Sequence, residues 1–287
     1  MPDVNRGLDL SNIATATDTE KADFRQFYDR MLGRGHPGLE YYLNNAPDAM
    51  KRYRAFADAA TPRNLDTDRR VGGFGFMTYY ALSGYVEGVR YLVYIQQQLG
   101  LTRSQVMEGL TIAFLHAGPR GSETIAKALE DFPWIEPTTT PQFPIGWAAD
   151  PDAFRSGLDF NVRELSAAEL GMLEAWYERY LGEVPAYVRL SARHNPAFLK
   201  AYRHRFETCV RELPKQVVPA SLLHYNVSRA HGPGIRENVL LARGFGMTRE
   251  DTLRAIMSPI INAGMETLTL VDEVAGEILN NWPDLPR

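Results

Sequence analysis

The residues best suited to chemistry in this sequence gather around one histidine. His231 stands directly before Gly232-Pro233-Gly234. Proline is favoured in a first helical turn, where its missing N–H would be unpaired anyway. The sequence thus places His231 at a helix entrance, whose free N–H groups and dipole make an anion site. A carboxylate or developing enolate fits there. The positive helix end also favours the neutral form of a neighbouring imidazole, which can then accept a proton. A surface turn is the structural alternative for the same residues.

Other candidates surround it. His224 lies seven residues earlier, which is about 10.5 Å of rise on a continuous helix. The two histidines therefore share a metal only if the chain turns between them. Tyr225 is a phenol donor to substrate or a core tyrosine. Glu237 is a general base or a first-turn acid, and Asn238 flanks it. Arg236 could pair an anionic substrate. Tyr79 and His116 complete the set, as a ring donor and a polar residue closing an apolar helix. His36, His194 and His204 lie in polar contexts and read as surface residues. Catalysis is assigned to His231, His224, Tyr225 and Glu237, and substrate binding to Arg236, Asn238, Tyr79 and His116.

Several chemistries are excluded or unsupported. The single cysteine, Cys209, makes neither an internal disulfide nor a Cys-x-x-Cys pair, and reads as a packing residue. There is no His-Glu-x-x-His run and no nucleotide loop after a strand, so no metal and no cofactor is expected. Gly72-Gly73-Phe74-Gly75 lacks a phosphate-binding lysine and reads as a bend beside helix-packing aromatics. A net charge of −4 lacks the basic surplus of a nucleic-acid partner. No apolar run reaches the ~18 residues of a membrane helix, and Met1 to Lys21 has no secretory pattern. A cytoplasmic protein with no membrane partner is expected.

The elements that must position these residues are helices, and they occur twice. Gly100-Leu101-Thr102-Arg103 returns as Gly246-Met247-Thr248-Arg249, an offset of 146, which also carries Ala117-Gly118 onto Ala263-Gly264. Phe27-Tyr28 returns as Trp176-Tyr177, and Tyr53-Arg54 as Tyr202-Arg203, both at offset 149. The predicted organisation is an N-terminal extension (1–18), a first repeat (19–132), a proline-rich linker (133–165) and a second repeat (166–287). Each copy is predicted to end in three helices, at about 86–99, 103–116 and 121–131, then 234–245, 249–262 and 265–280. Thr102 and Thr248 sit at N-caps, and Gly100 and Gly246 at helix ends where positive φ is needed.

The unit of helix, Gly-x-Thr-Arg, helix, Ala-Gly and helix resembles the carboxymuconolactone decarboxylase and AhpD-like superfamily. The second run, Gly246 to Asp251, is the nearer to that family's Gly-x-Thr-x-Glu-Glu pattern. The resemblance implies an all-α fold of two tandem AhpD-like repeats in a pseudo-symmetric bundle, assembled as a homotrimer. The departures matter. The redox branch's two cysteines and histidine would fall on Tyr85, Gly88 and Leu92, and on His231, Gly234 and Asn238. Its relay glutamate would fall near Gly73 and Pro219. With no thiol there, the chain is no thiol peroxidase. The reading is a cofactor-independent acid–base enzyme, of decarboxylase, isomerase or hydrolase type, acting on a small organic acid or lactone. A lyase like the family's decarboxylases is favoured. A non-catalytic binding or assembly protein and a metal-dependent variant are the alternatives.

Overall fold

A computed structural model of the chain describes residues 6–60, 65–207 and 210–283. Cys209 lies outside the described residues. Those described form helices and connections, with one isolated bridge between Ala149 and Pro214 and no strand. The first half contains α1 (Asp18–Leu32), α2 (Pro37–Asn45), α3 (Pro47–Ala60), α4 (Leu65–Ser83), α5 (Val86–Gln98), α6 (Arg103–Ala117) and α7 (Pro119–Leu129). The second contains α8 (Ala167–Leu181), α9 (Ala186–His194), α10 (Pro196–Glu207), α11 (Val217–Ser228), α12 (Gly232–Gly244), α13 (Arg249–Met257), α14 (Ile260–Ala263) and α15 (Thr267–Asn280).

The same local devices start and stop corresponding helices. Thr17 with Glu20 and Ser166 with Glu169 form reciprocal capping boxes on α1 and α8. The N–H of Leu101 reaches the carbonyl of Gln96, and that of Gly100 reaches Gln97. Met247 and Gly246 bond Ala242 and Arg243 in the same way. These paired bonds close α5 and α12 on a left-handed residue, φ 92° at Gly100 and 76° at Gly246, which glycine adopts without a Cβ clash. Leu101 and Met247 follow, both fully buried, and anchor each turn in the core.

Two predicted features are corrected. Gly72 to Gly75 is not a bend, because α4 runs through it unbroken. A Cβ on Gly73 would lie 1.7 Å from the Gln96 amide, and one on Gly75 would lie 2.6 Å from the His224 Cβ. The glycines let α5 and α11 approach α4 closely. The helix predicted over 249–262 is broken after Met257, and α14 restarts it at Ile260. Pro259 lacks the N–H that a continuous ladder would need.

One apolar core joins the halves. Phe74, Met77, Val89 and Leu110 from the first pack with Leu199, Leu223, Val239 and Ile256 from the second, and α4 against α11 is the most extensive helix contact. A smaller core of Leu8, Phe24, Phe27, Leu43 and Met50 lies under α1 to α3. No helix among the described residues is long and apolar enough to cross a membrane.

The segments outside the predicted repeats also correspond. Gly7-Leu8-Asp9 and Gly157-Leu158-Asp159 both begin at positive φ and bury the leucine. Each then donates the aspartate N–H to the capping glutamate, Asp9 to Glu20 and Asp159 to Glu169. Those glutamates hold the buried Lys51 and Lys200. The matched architecture therefore includes part of the predicted extension and part of the predicted linker.

Candidate functional site

The second half forms a half-open cavity of about 490 Å³. α12 lines one wall with Gly234, Glu237, Asn238 and Leu241, spaced so that one helical stripe faces inward. The end of α11 supplies Leu222, Tyr225 and Asn226, and α10 supplies Tyr202, Arg203 and Phe206. α8 and α9 add Trp176, Tyr177 and Tyr187. His116 reaches in from α6 of the first half.

His231 sits at the N-cap of α12, an exposed residue at the edge of this cavity. Its Nδ1 lies 3.1 Å from Asn226 Oδ1. The Asn226 amide is oriented independently, because Nδ2 donates to the Leu222 carbonyl at 2.7 Å. Its oxygen therefore faces the imidazole, and an oxygen can only accept. His231 thus carries its hydrogen on Nδ1 and keeps a lone pair on Nε2. Gly234 makes room for the pair: a Cβ there would stand 2.2 Å from Asn226 Oδ1 and 2.6 Å from His231 Nδ1.

Glu237 lies deeper. Tyr187 donates its hydroxyl to Glu237 Oε1 at 2.8 Å. With that hydrogen committed, the Tyr177 hydroxyl, 3.2 Å away, donates to Tyr187. Burial raises the Glu237 carboxyl above the ordinary range, against the Tyr187 hydrogen bond and the Arg203 charge, which lower it. Burial and then the Glu237 charge raise Tyr187 too, so it remains the donor. Arg203 stacks 3.8 Å over Trp176 and is held by Glu207 and the Phe154 carbonyl. Its charge is therefore locally balanced.

The structure gathers five predicted residues at this cavity: His231, Tyr225, Glu237, Asn238 and His116. Three stand elsewhere. His224 is on the opposite side of α11, buried between α4 and α13, with Nδ1 3.1 Å from Ser258 Oγ and its ring 4.2 Å from Phe76. Burial alone brings it down to about 3. Tyr79 packs beside it, ring centroids 6.1 Å apart. Arg236 points outward and pairs with Glu183 at 2.9 Å. A fourth placement differs from expectation: His36 is half-buried, caps α2 and bonds Tyr85. Helix-start geometry draws it inward despite its polar neighbours.

Sequence reasoning passed over Asn226, Tyr187 and Arg203 as site residues. Asn226 had a legible signal, since it follows Tyr225 at a helix end five residues before His231. Tyr177, Tyr202 and Arg203 were visible only as anchors of the internal match. Among the described residues, no three of histidine, cysteine, aspartate and glutamate come together as a metal-ion site.

A solved structure shares this architecture. It is a protein of Burkholderia xenovorans LB400, provisionally described as a gamma-carboxymuconolactone decarboxylase subunit. The alignment covers 91% of this chain and 98% of that one, with a TM-score of 0.56 and 17% identity. The fold is that of a carboxymuconolactone decarboxylase-like protein. No protein-family model matches the sequence, and no curated relative does. At this identity the likeness concerns the fold, and the carboxymuconolactone decarboxylase-like scaffold leaves the chemistry to be argued from the cavity itself.

Proposed function

We propose that the second-half cavity is the active site of a cofactor-independent acid–base enzyme acting on a small organic acid or lactone. The reading rests above all on the His231–Asn226 pair, whose geometry leaves the Nε2 lone pair free at the edge of a half-open, ring-lined pocket. His231 Nε2 takes a proton from the substrate or from water. The free N–H groups at the start of α12 hold the carboxylate or enolate that develops. Glu237, shifted towards its protonated form and oriented by Tyr187, returns a proton at the other end of the site. Two groups whose surroundings suit opposite roles are the pattern expected of an acid–base pair. Decarboxylation, isomerisation and lactone hydrolysis all use it.

The same proposal takes the chain as two tandem repeats forming a pseudo-symmetric bundle that assembles as a homotrimer. The repeat part of this reading is supported by the matched caps, glycine closures and buried lysines of the two halves. A binding-only role fits the first half, where Tyr85, Tyr80 and Tyr91 replace His231, Asn226 and Glu237 at offset 146.

The test is proton exchange. The protein is incubated in D₂O with a panel of keto acids, unsaturated acids and lactones, and deuterium uptake or turnover is followed by NMR. Exchange that disappears in His231→Ala and in Glu237→Gln, with folding retained, is the expected result. Exchange that survives both variants sinks the proposal.

A further inference from the structure

One imidazole of the cavity comes from the other half of the chain. His116 lies in the last turn of α6, with Nδ1 3.1 Å from the Ile112 carbonyl. A carbonyl only accepts, so Nδ1 carries the hydrogen and Nε2 keeps the lone pair. Nε2 is then the remaining polar atom of a ring that lines the cavity. Burial brings this histidine down to about 4, against its bond to Ile112 and with help from the Arg205 charge. It is therefore an uncharged acceptor at neutral pH and too weak a base to be the proton carrier.

Its surroundings are flat. The His116 ring stands edge-on to Phe206 at 5.5 Å and to Tyr225 at 6.5 Å, and Phe206 continues to Tyr202 at 5.9 Å. Tyr225 accepts a hydrogen bond from Arg229 at 2.9 Å, which leaves its own hydroxyl hydrogen to give. The wall thus offers aromatic surface with an acceptor set into it, and the His231 Nε2 acceptor stands at the edge of the same cavity. A ligand that complements it is itself flat and presents a hydroxyl hydrogen.

We infer that the ligand of this cavity is a hydroxylated ring compound, a phenol or its enol equivalent, and that His116 Nε2 receives the hydroxyl hydrogen. The inference rests on the cavity being the substrate site proposed above. It makes His116 a positioning residue and makes the site incomplete without α6.

Calorimetric titration with 4-hydroxybenzoate and benzoate tests it, since the two differ only in the hydroxyl. The full chain should bind 4-hydroxybenzoate about tenfold more tightly, the size of one well-made hydrogen bond. His116→Phe keeps a ring and removes the acceptor, so it should erase the preference. His116→Gln restores an acceptor and should recover part of it. Equal affinity for the two probes in the unaltered chain overturns the inference, as does binding of neither. A preference that persists in His116→Phe overturns it too. Failure of the acid–base reading looks different, because it leaves this preference intact while deuterium exchange is insensitive to His231→Ala.

Discussion

The two halves of the chain keep the same skeleton and differ at the residues that could move protons. Around α12, His231 bonds Asn226 across Gly234. Around α5, Tyr85 stands at the N-cap, and a Cβ on Gly88 would meet Tyr85 at 2.4 Å and Tyr80 at 2.6 Å. The backbone closure is identical, Tyr85 N–H to the Tyr80 carbonyl and His231 N–H to Asn226, both 2.9 Å. Where the second half has an imidazole and a carboxyl, the first has phenols. Burial pushes Tyr85 up to about 12 and raises Tyr80 as well, so both stay protonated. The first-half position can donate and stack, and its one imidazole, His36, is engaged at both nitrogens, capping α2 and bonding Tyr85. The skeleton and its chemistry are separable: caps, glycine closures and buried lysines maintain one, and a few side chains around each helix start decide the other.

The largest effect should come from making the second half like the first. His231→Tyr with Glu237→Tyr should lower proton exchange by at least about 10³-fold, the scale of general acid–base catalysis. Exchange within tenfold of the unaltered chain, measured by NMR, would break the comparison. Tyr85→His should gain nothing, because Tyr80 cannot orient the imidazole as Asn226 does.

Next come the two glycines. Gly234→Ala forces Asn226 and His231 apart and should lower exchange about 10- to 100-fold. Gly88→Ala should leave exchange unchanged. Each should cost about 1–3 kcal/mol of stability, as overpacking does, measured by denaturant titration. A loss of exchange in both variants would mean that the first half also contributes chemistry.

The skeleton is probed by Lys51→Ala and Lys200→Ala. Each strands a capping glutamate beside its helix and should lower the melting temperature by about 10 °C. Unequal losses would show that one half carries more of the stability. Those glutamates, Glu20 and Glu169, sit at about 2. Burial opposes the shift at Glu20, and the hydrogen bonds from Lys51, Thr17 and Asp9 outweigh it. The Lys200 hydrogen bond leads at Glu169. Their stabilisation is full above the ordinary value of 4.5 and fades as pH falls through about 2.

The smallest effect concerns acid sensitivity. His224 is depressed from 6.5 to about 3 by burial. The unfolded chain therefore binds its proton first, and stability falls as pH drops from 6.5 towards 3. The matched residue in the first half is Thr78. His224→Thr should flatten that part of the stability-versus-pH curve, leaving the His116 contribution in place. An unchanged slope would show that His224 is not the sensor.

The helical architecture was legible because its signals are local. Thr102, Gly100 and their matched partners act within one turn, and apart from the break after Met257 the observed boundaries fall within about two residues of those predicted. The His231 helix start was legible for the same reason. What escaped depends on contacts distant in sequence. Nothing near Glu237 foretells that Tyr187, fifty residues earlier, will hold its carboxyl. His224 and Tyr225 are neighbours, yet they face opposite sides of α11, and their order gives no rule for which side holds the cavity. Arg236 looked like an anion ligand until Glu183 was seen to occupy it. The Gly-Leu-Asp match was hidden because the aspartate works through a backbone N–H, which its side chain does not advertise.

The crossing of α4 and α11 has a consequence for how such a chain can evolve. Gly75 yields space to His224 on one side, and the matched positions on the other are Ser221 and Thr78, both with buried hydroxyls. In a dimer of identical subunits, a bulky residue and the vacancy that receives it must arise in one gene and be tolerated twice about the axis. A single chain is free of that rule. It can enlarge one side of the crossing and leave the other small. Such asymmetry makes each half a better match for its neighbour than for a second copy of itself.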